Sequence, residues 1–298
     1  MASNTRQIRR QIKSIKNTAK ITRAMEMISA VKLQKTQAQA LASRAYSAAA
    51  KEILEKLTLG IETSEHPFFI ERPIKKIGII VMSSNRGLCG SLNGNILKTV
   101  LDYEKNILEN FPSAEITYIT MGKKIRDSLA RLGKNILADF PKPDIALNSL
   151  PAIPLANLAV EEFSKNKLDR VVMIFPESVS IVNQKPIALQ LLPLAYEFAE
   201  EAAEKEAGKK RRISYIFEPT KEQILGQALV RLLETQVFQS LLEANAAEHA
   251  ARMVAMKNAT DSAKDLVDDL TLFYNRTRQA AITQEVSEIT SGRLALEN

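Results

Sequence analysis

The 298-residue chain is 45% hydrophobic and 25% charged, carries a formal net charge of +7, and contains one cysteine, two histidines and no tryptophan. Cys89 alone allows neither an internal disulfide nor a thiolate metal cluster, and His66 and His249 stand far apart, so metal catalysis has almost no ligands to use. No apolar run approaches the roughly 20 residues of a membrane span, and the start lacks the apolar core and small-residue cleavage site of a signal peptide, so a cytoplasmic protein is expected.

Residues 1–59 hold neither Gly nor Pro and carry 12 Lys and Arg against 3 Glu. Such a segment can form one very long helix, far beyond the roughly 12 residues of an ordinary one. Ile8, Ile12, Ile15, Ala19, Met25, Ile28 and Val31 recur mostly at three- and four-residue steps, an apolar stripe along one side. Ala38, Ala40, Ala42, Ala45, Ala48, Ala49 and Ala50 crowd its later part, where small side chains permit close approach but bury little. The positive charge suggests nucleic acid or an anionic surface, yet Tyr46 is the arm's one aromatic residue, which leaves no ring series for stacked bases. A solvated basic face near an acidic partner fits better. Gly60 supplies a stop.

All eleven prolines fall between Pro67 and Pro219, in a middle region where strand and helix patterns alternate. Ile77–Met82, Ile116–Thr120 and Val171–Phe175 read as strands; 96–108, 123–132 and 155–168 are compatible with helices. This order predicts a parallel sheet covered by helices. Val179–Val182 and Ile187–Leu192, turned around Asn183–Lys185, predict an added hairpin. Residues 197–212 pass from acidic to basic without an apolar pattern.

Pro219, Thr220 and Gln223 form a helix-opening pattern of the capping-box type. Beyond the isolated Gly226, residues 227–291 again lack Gly and Pro. Ala263, Val267, Leu270, Tyr274, Thr277 and Ala281 alternate steps of four and three, the spacing that keeps a seam facing a partner helix. The simplest partner is the N-terminal helix, paired antiparallel, with Asp261, Asp265, Asp268 and Asp269 near its basic side chains. The expected fold class is therefore α/β: a long antiparallel two-helix coiled coil from the two ends, plus a central α/β domain. The divisions are 1–60, 75–218 and 219–298.

Few motifs carry chemistry. Gly87, Gly90 and Gly94 follow the first strand, where a phosphate-cradling turn would sit, but they match neither the dinucleotide glycine pattern nor the P-loop. A tight turn is the simpler explanation, with Cys89 as a packed small side chain. Met25, Met27, Met253 and Met256 suit core filling or an adaptable surface.

Four segments together resemble one family: Lys16–Ala30 (KNTAKITRAMEMISA), Ser84–Gly90 (SNRGLCG), Ala250–Met256 (AARMVAM) and Tyr274–Thr283 (YNRTRQAAIT). They look like the gamma subunits of F-type ATP synthases, over essentially the whole chain and in order. The resemblance implies a shaft of paired terminal helices above a Rossmann-like foot. It implies a non-catalytic rotor, one copy per complex, inside a ring of alpha and beta subunits, with the foot meeting the epsilon subunit and the membrane c ring. Nucleic acid and bound cofactors are not implied, and ATP chemistry belongs to the beta subunits. Position by position, Arg278, Gln279 and Thr283 match contacts to a catalytic-subunit loop. Met25 and Arg252 match lower shaft contacts, and Tyr215 and Glu218 match the foot region facing epsilon and the c ring. Asn85 stands where Asp is common in that family, Ser91 where Gly is, and Ala247 where Ser is. The chain lacks the two-cysteine insertion and the transit peptide of chloroplast relatives, so the expected location is the cytoplasmic face of a bacterial inner membrane, peripherally bound.

Overall fold

The computed structural model describes residues 2–58, 66–194 and 221–297. Ten elements follow in order: α1 (Ala2–Thr58), β1 (Lys76–Met82), α2 (Leu92–Asn110), β2 (Glu115–Met121), α3 (Lys123–Arg131), β3 (Ile136–Phe140), α4 (Ile153–Ser164), β4 (Arg170–Ser178), β5 (Gln184–Leu192) and α5 (Lys221–Glu297). The two breaker-free ends are indeed helices of 57 and 77 residues, and Gly226 is carried inside the second. Gly60, Pro219 and Thr220, the expected helix stop and start, lie outside the described residues, as does 197–212. Two compact units result, one of residues 1–29 with 252–298 and one of residues 30–251.

The smaller unit is a pair of helical segments. Thr22 Oγ1 meets Thr260 Oγ1 at 2.7 Å, and Arg9 and Ile12 share a groove with Val267 and Asp268, so the two segments run antiparallel. On α5 the expected seam is realised: Ala263 and Val267 are buried and Leu270, Tyr274, Thr277 and Ala281 half-buried. On α1 the seam runs through Ile8, Ile12, Ile15, Ala19, Thr22, Met25 and Ser29. Ile28 departs from the expected stripe and is 56% exposed. Heptad spacing continued from Thr22 reaches Glu26 and Ser29, and Ile28 falls round the helix from that line. Thr22 and Ser29 also give hydroxyl hydrogen bonds back to their own helix, at Ala19 O (3.1 Å) and Met25 O (2.8 Å). Small polar side chains that satisfy themselves in this way can sit in a narrow seam without stranded donors.

The larger unit is built on a five-stranded sheet in the order β3-β2-β1-β4-β5. β1 pairs in parallel with β2 and β4, β2 pairs in parallel with β3, and β5 is antiparallel to β4. Alternation along the strands divides the core between two faces. Ile77, Ile79 and Val81 point with Tyr118, Val172 and Ile174 toward Ile96 and Val100 of α2 and Ile125 and Leu129 of α3. Ile80 and Met82 point with Ile119, Met121 and Met173 toward Leu155, Ala159 and Phe163 of α4 and toward a row on α5 at Leu225, Leu229, Leu233, Val237 and Leu241. Each α5 row member is essentially inaccessible. That four-residue spacing keeps one side of α5 on the sheet. On α1, Leu33, Thr36 and Ala40 are buried in this unit, while Val31 of the expected stripe is 54% exposed.

Two strand readings are corrected. Val179–Val182 is not a strand: β4 continues through Pro176 to Ser178, so the hairpin partner of β5 is β4 itself and the β-branched residues form the exposed connection. Proline is tolerated because its ladder position faces another proline, Pro186, at the end of the pairing. β3 had no counterpart among the expected strands; it is a short edge strand whose residues are only partly covered.

Candidate partner-binding surface

Five of the seven residues expected to contact partners, Met25, Arg252, Arg278, Gln279 and Thr283, fall into two patches on the smaller unit. The Thr22–Thr260 contact sets the register. Met25 therefore lies beside the Met256 turn, with Arg252 one turn farther along α5. Both are half-buried. Gln279 lies 27 residues beyond Arg252, about 40 Å at ~1.5 Å per residue, so the five residues do not form one cluster.

In the second patch Arg278, Gln279 and Thr283 are all exposed, and the side chain of none of them makes a hydrogen bond or ion pair with the described residues. At about 100° per residue, Gln279 and Thr283 share the side of α5 turned away from the seam, and Arg278 stands on its flank. Leu272, Arg276, Gln279, Thr283 and Val286 repeat the four-three rhythm on that outer side, with Leu272 54% and Val286 56% exposed. α5 thus carries two parallel stripes, one on α1 and one facing out. On α1 the same duplication occurs: Ile21, Met27 and Ile28 are 61%, 60% and 56% exposed, away from the Ile8-to-Ser29 seam. The expected residue set omitted most of these outward apolar positions, although two interleaved apolar phases on one helix would have found them.

A groove of about 740 Å³ runs along the pair, lined by Arg9, Lys13, Lys16 and Lys20 on α1 and by Val267, Lys264 and Asp268 on α5. The basic arm of the sequence is therefore a stripe at four- and three-residue steps, flanking an apolar floor. Of Asp261, Asp265, Asp268 and Asp269, expected near basic side chains of α1, Asp268 shares this groove with its lysines, whereas Asp261 pairs with Lys264 of its own helix at 3.2 Å.

The turn between β1 and α2 is held together by Asn93. Its amide donates to Ser84 Oγ at 2.7 Å and its carbonyl oxygen accepts from the Ser84 backbone N–H at 3.3 Å. The Leu92 N–H is taken by the Cys89 carbonyl at 3.3 Å. Gly90, at φ +60, supplies the left-handed step that lets the turn close. Cys89 is 2% exposed and packed, as expected of a structural thiol. Tyr215 and Glu218 lie outside the described residues. Among the described residues no helix is long and apolar enough to cross a membrane, and no cluster of three or more metal-ligating side chains occurs.

Known proteins resemble the chain in both sequence and fold. The family model described as ATP synthase matches residues 4–296. The ATP synthase gamma chain of Pelotomaculum thermopropionicum is 39% identical over 292 residues, covering 98% of this chain and 99% of that one. This chain belongs to the ATP synthase gamma-chain family. The gamma chain of Stenotrophomonas maltophilia is 40% identical over 303 residues, with 99% and 100% of the two chains covered. Among solved structures, a chain of the Euglena gracilis mitochondrial ATP synthase described as OSCP/F1/c-ring, rotational state 3, matches with TM-score 0.68 at 18% identity, over 99% of this chain and 95% of that one. A chain of the rotor of the same enzyme, rotational state 1, matches with TM-score 0.64 at 19% identity, over 95% of this chain and all of that one. Fold and family membership agree along the whole chain.

Proposed function

We propose that this chain is the central-stalk rotor of a bacterial F-type ATP synthase and is itself non-catalytic. In this reading residues 1–60 and 219–298 form the shaft, inside a ring of three alpha and three beta subunits. Residues 75–218 form the foot, which meets the epsilon subunit and the c ring at the cytoplasmic face of the inner membrane. Proton flow turns the c ring and the shaft with it. Because the shaft is asymmetric, each beta subunit meets a different face at a given moment. Coupling is then the difference in contact free energy between those angles, and it holds the three catalytic sites in unlike states.

The observation that carries this reading is the outward apolar stripe of the paired-helix unit. Ile21, Met27, Ile28, Leu272 and Val286 are each more than half exposed on segments that already bury a separate seam. A helix that is apolar on its outer side is suited to a surrounding partner. Gln279 and Thr283 stand among them and Arg278 on the flank, with free side-chain donors and acceptors, and planar guanidinium and amide groups suit an acidic or carbonyl-rich loop. Met25 and Arg252 would meet the catalytic subunits nearer the foot, and Tyr215 and Glu218 would face epsilon and the c ring.

Reconstitution tests it. The purified chain should hydrolyse no ATP, and its addition to alpha and beta subunits should assemble an active complex. Failure to assemble, or stoichiometric ATP binding by the chain alone, would contradict the proposal.

A further inference from the structure

Pro141–Asp144, the segment that leaves β3, is a meeting point for four contacts inside the larger unit. Lys142 Nζ donates to Glu248 Oε2 of α5 at 2.5 Å, with the two side chains 2% and 6% exposed. The Asp144 carbonyl lies 2.8 Å from His249 Nε2, on the next residue of α5. The Asp144 carboxylate pairs with Lys32 Nζ of α1 at 2.8 Å. Asn85 Nδ2, from the turn after β1, donates to the Lys142 carbonyl at 2.7 Å. Four consecutive residues therefore tie α1, α5 and the sheet together, and Pro141 and Pro143 fix their own φ angles so that the segment is stiff.

Stability does not explain why this junction is ionic. Removing two charges from water is costly, and a well-packed apolar pair of similar volume often serves folding as well or better. What an apolar pair lacks is direction: its attraction follows buried area and tolerates sliding. A buried lysine and glutamate lose their partner on a small displacement, and each stranded charge is then strongly unfavourable. Such a pair resists slippage of a helix along or around its axis. The flanking contacts to Lys32 and His249 oppose movement of α1 and α5 in the same place, and Lys32 holds the Asp144 carboxyl below the usual carboxylate range.

We propose that the buried Lys142–Glu248 pair, braced through Asp144 on Lys32 and His249, is a positioning clamp that keeps both long helices in register on the sheet while torque passes between them. The inference rests on the rotor reading above. The test uses the assembled complex in inside-out membrane vesicles, where ATP hydrolysis and ATP-driven proton uptake are measured against an increasing opposing proton gradient. The double variant Lys142→Met/Glu248→Leu keeps an apolar, similarly sized junction, and Lys142→Arg keeps the charge. The isolated double variant should melt at or above the wild-type Tm. In the complex its unloaded hydrolysis should stay within about twofold of wild type, while protons moved per ATP under load fall about fivefold or more, in the range that coupling residues command. Lys142→Arg should retain pumping. Undiminished pumping under load by the double variant would overturn the clamp. So would a fall in its Tm that accompanies the pumping loss, because the pair would then be merely structural. A wild-type complex that neither hydrolyses ATP nor pumps would instead remove the rotor reading, and the clamp with it.

Discussion

The two units place their apolar side chains in opposite ways. In the sheet unit Ile77, Ile79, Ile80, Val81 and Met82, five of the six residues from 77 to 82, are entirely inaccessible. In the paired-helix unit the seam mixes Ile8, Ile12, Ile15, Val267 and Leu270 with small or polar residues such as Ala263, Ser29 and the Thr22–Thr260 pair, while Ile21, Met27, Ile28, Leu272, Phe273 and Val286 face outward. The first unit closes on itself. The second keeps only a thin internal seam and presents much of its apolar surface to something else. Stability and partner binding should therefore separate cleanly along the chain.

Substitutions of one chemical kind in the two units give the sharpest contrast. Ile80→Ala, at 0% exposure, should cost about 2–5 kcal/mol in urea unfolding of the isolated chain. Ile28→Ala should change that stability by less than about 0.5 kcal/mol, yet weaken assembly with alpha and beta subunits. Equal costs at the two positions would dissolve the distinction. Thr22→Ala removes the buried hydroxyl pair of the seam, and the expected loss is about 0.5–1.5 kcal/mol, read from the unfolding midpoint. A smaller effect belongs to His66. Burial lowers its pKa, and its Nδ1 accepts from the Phe68 N–H at 3.3 Å beside the Phe68 and Phe69 rings, an arrangement that requires the neutral ring. Its contribution is present above the unfolded value of ~6.5 and is lost as pH falls below it. Melting of wild type should drop between neutral pH and pH ~5 more than melting of His66→Gln does. Least of all on folding, Arg278→Ala should leave helical content and Tm unchanged while lowering assembly or turnover; wild-type turnover would refute its contact role.

Much of this division was legible in the sequence because periodicity reports burial directly. Ala263, Val267, Leu270, Tyr274, Thr277 and Ala281 are all buried or half-buried along the seam. The same rule misplaced Ile28 and Val31, since hydrophobicity does not say which of two faces a helix will bury inside its own chain. Thr22 and Ser29 in the seam, and Thr36 in the larger unit, were invisible as buried residues because a self-satisfied hydroxyl has no apolar signature. β3 was missed because Leu137 occupies its exposed face, so Ile-Leu-Ala-Asp-Phe does not alternate in sequence although its burial does, and Val179–Val182 misled because β-branched residues also occupy exposed turns. Nothing local pairs Lys142 with Glu248, 106 residues apart. The role of Asn85 emerges only in three dimensions: its amide donates to the Lys142 carbonyl, which a carboxylate at that position could not do.

The most direct measurement is cysteine reactivity at Ile28→Cys and Gln279→Cys, in the isolated chain and in the complex with alpha and beta subunits. Native Cys89 is buried and should contribute little background. Both introduced thiols should react rapidly in the isolated chain and become at least about tenfold slower on assembly, as expected of side chains moved from water into a packed interface. Unchanged reactivity at both positions in an active complex would contradict the claim that the outer face of the paired helices is where the partners sit.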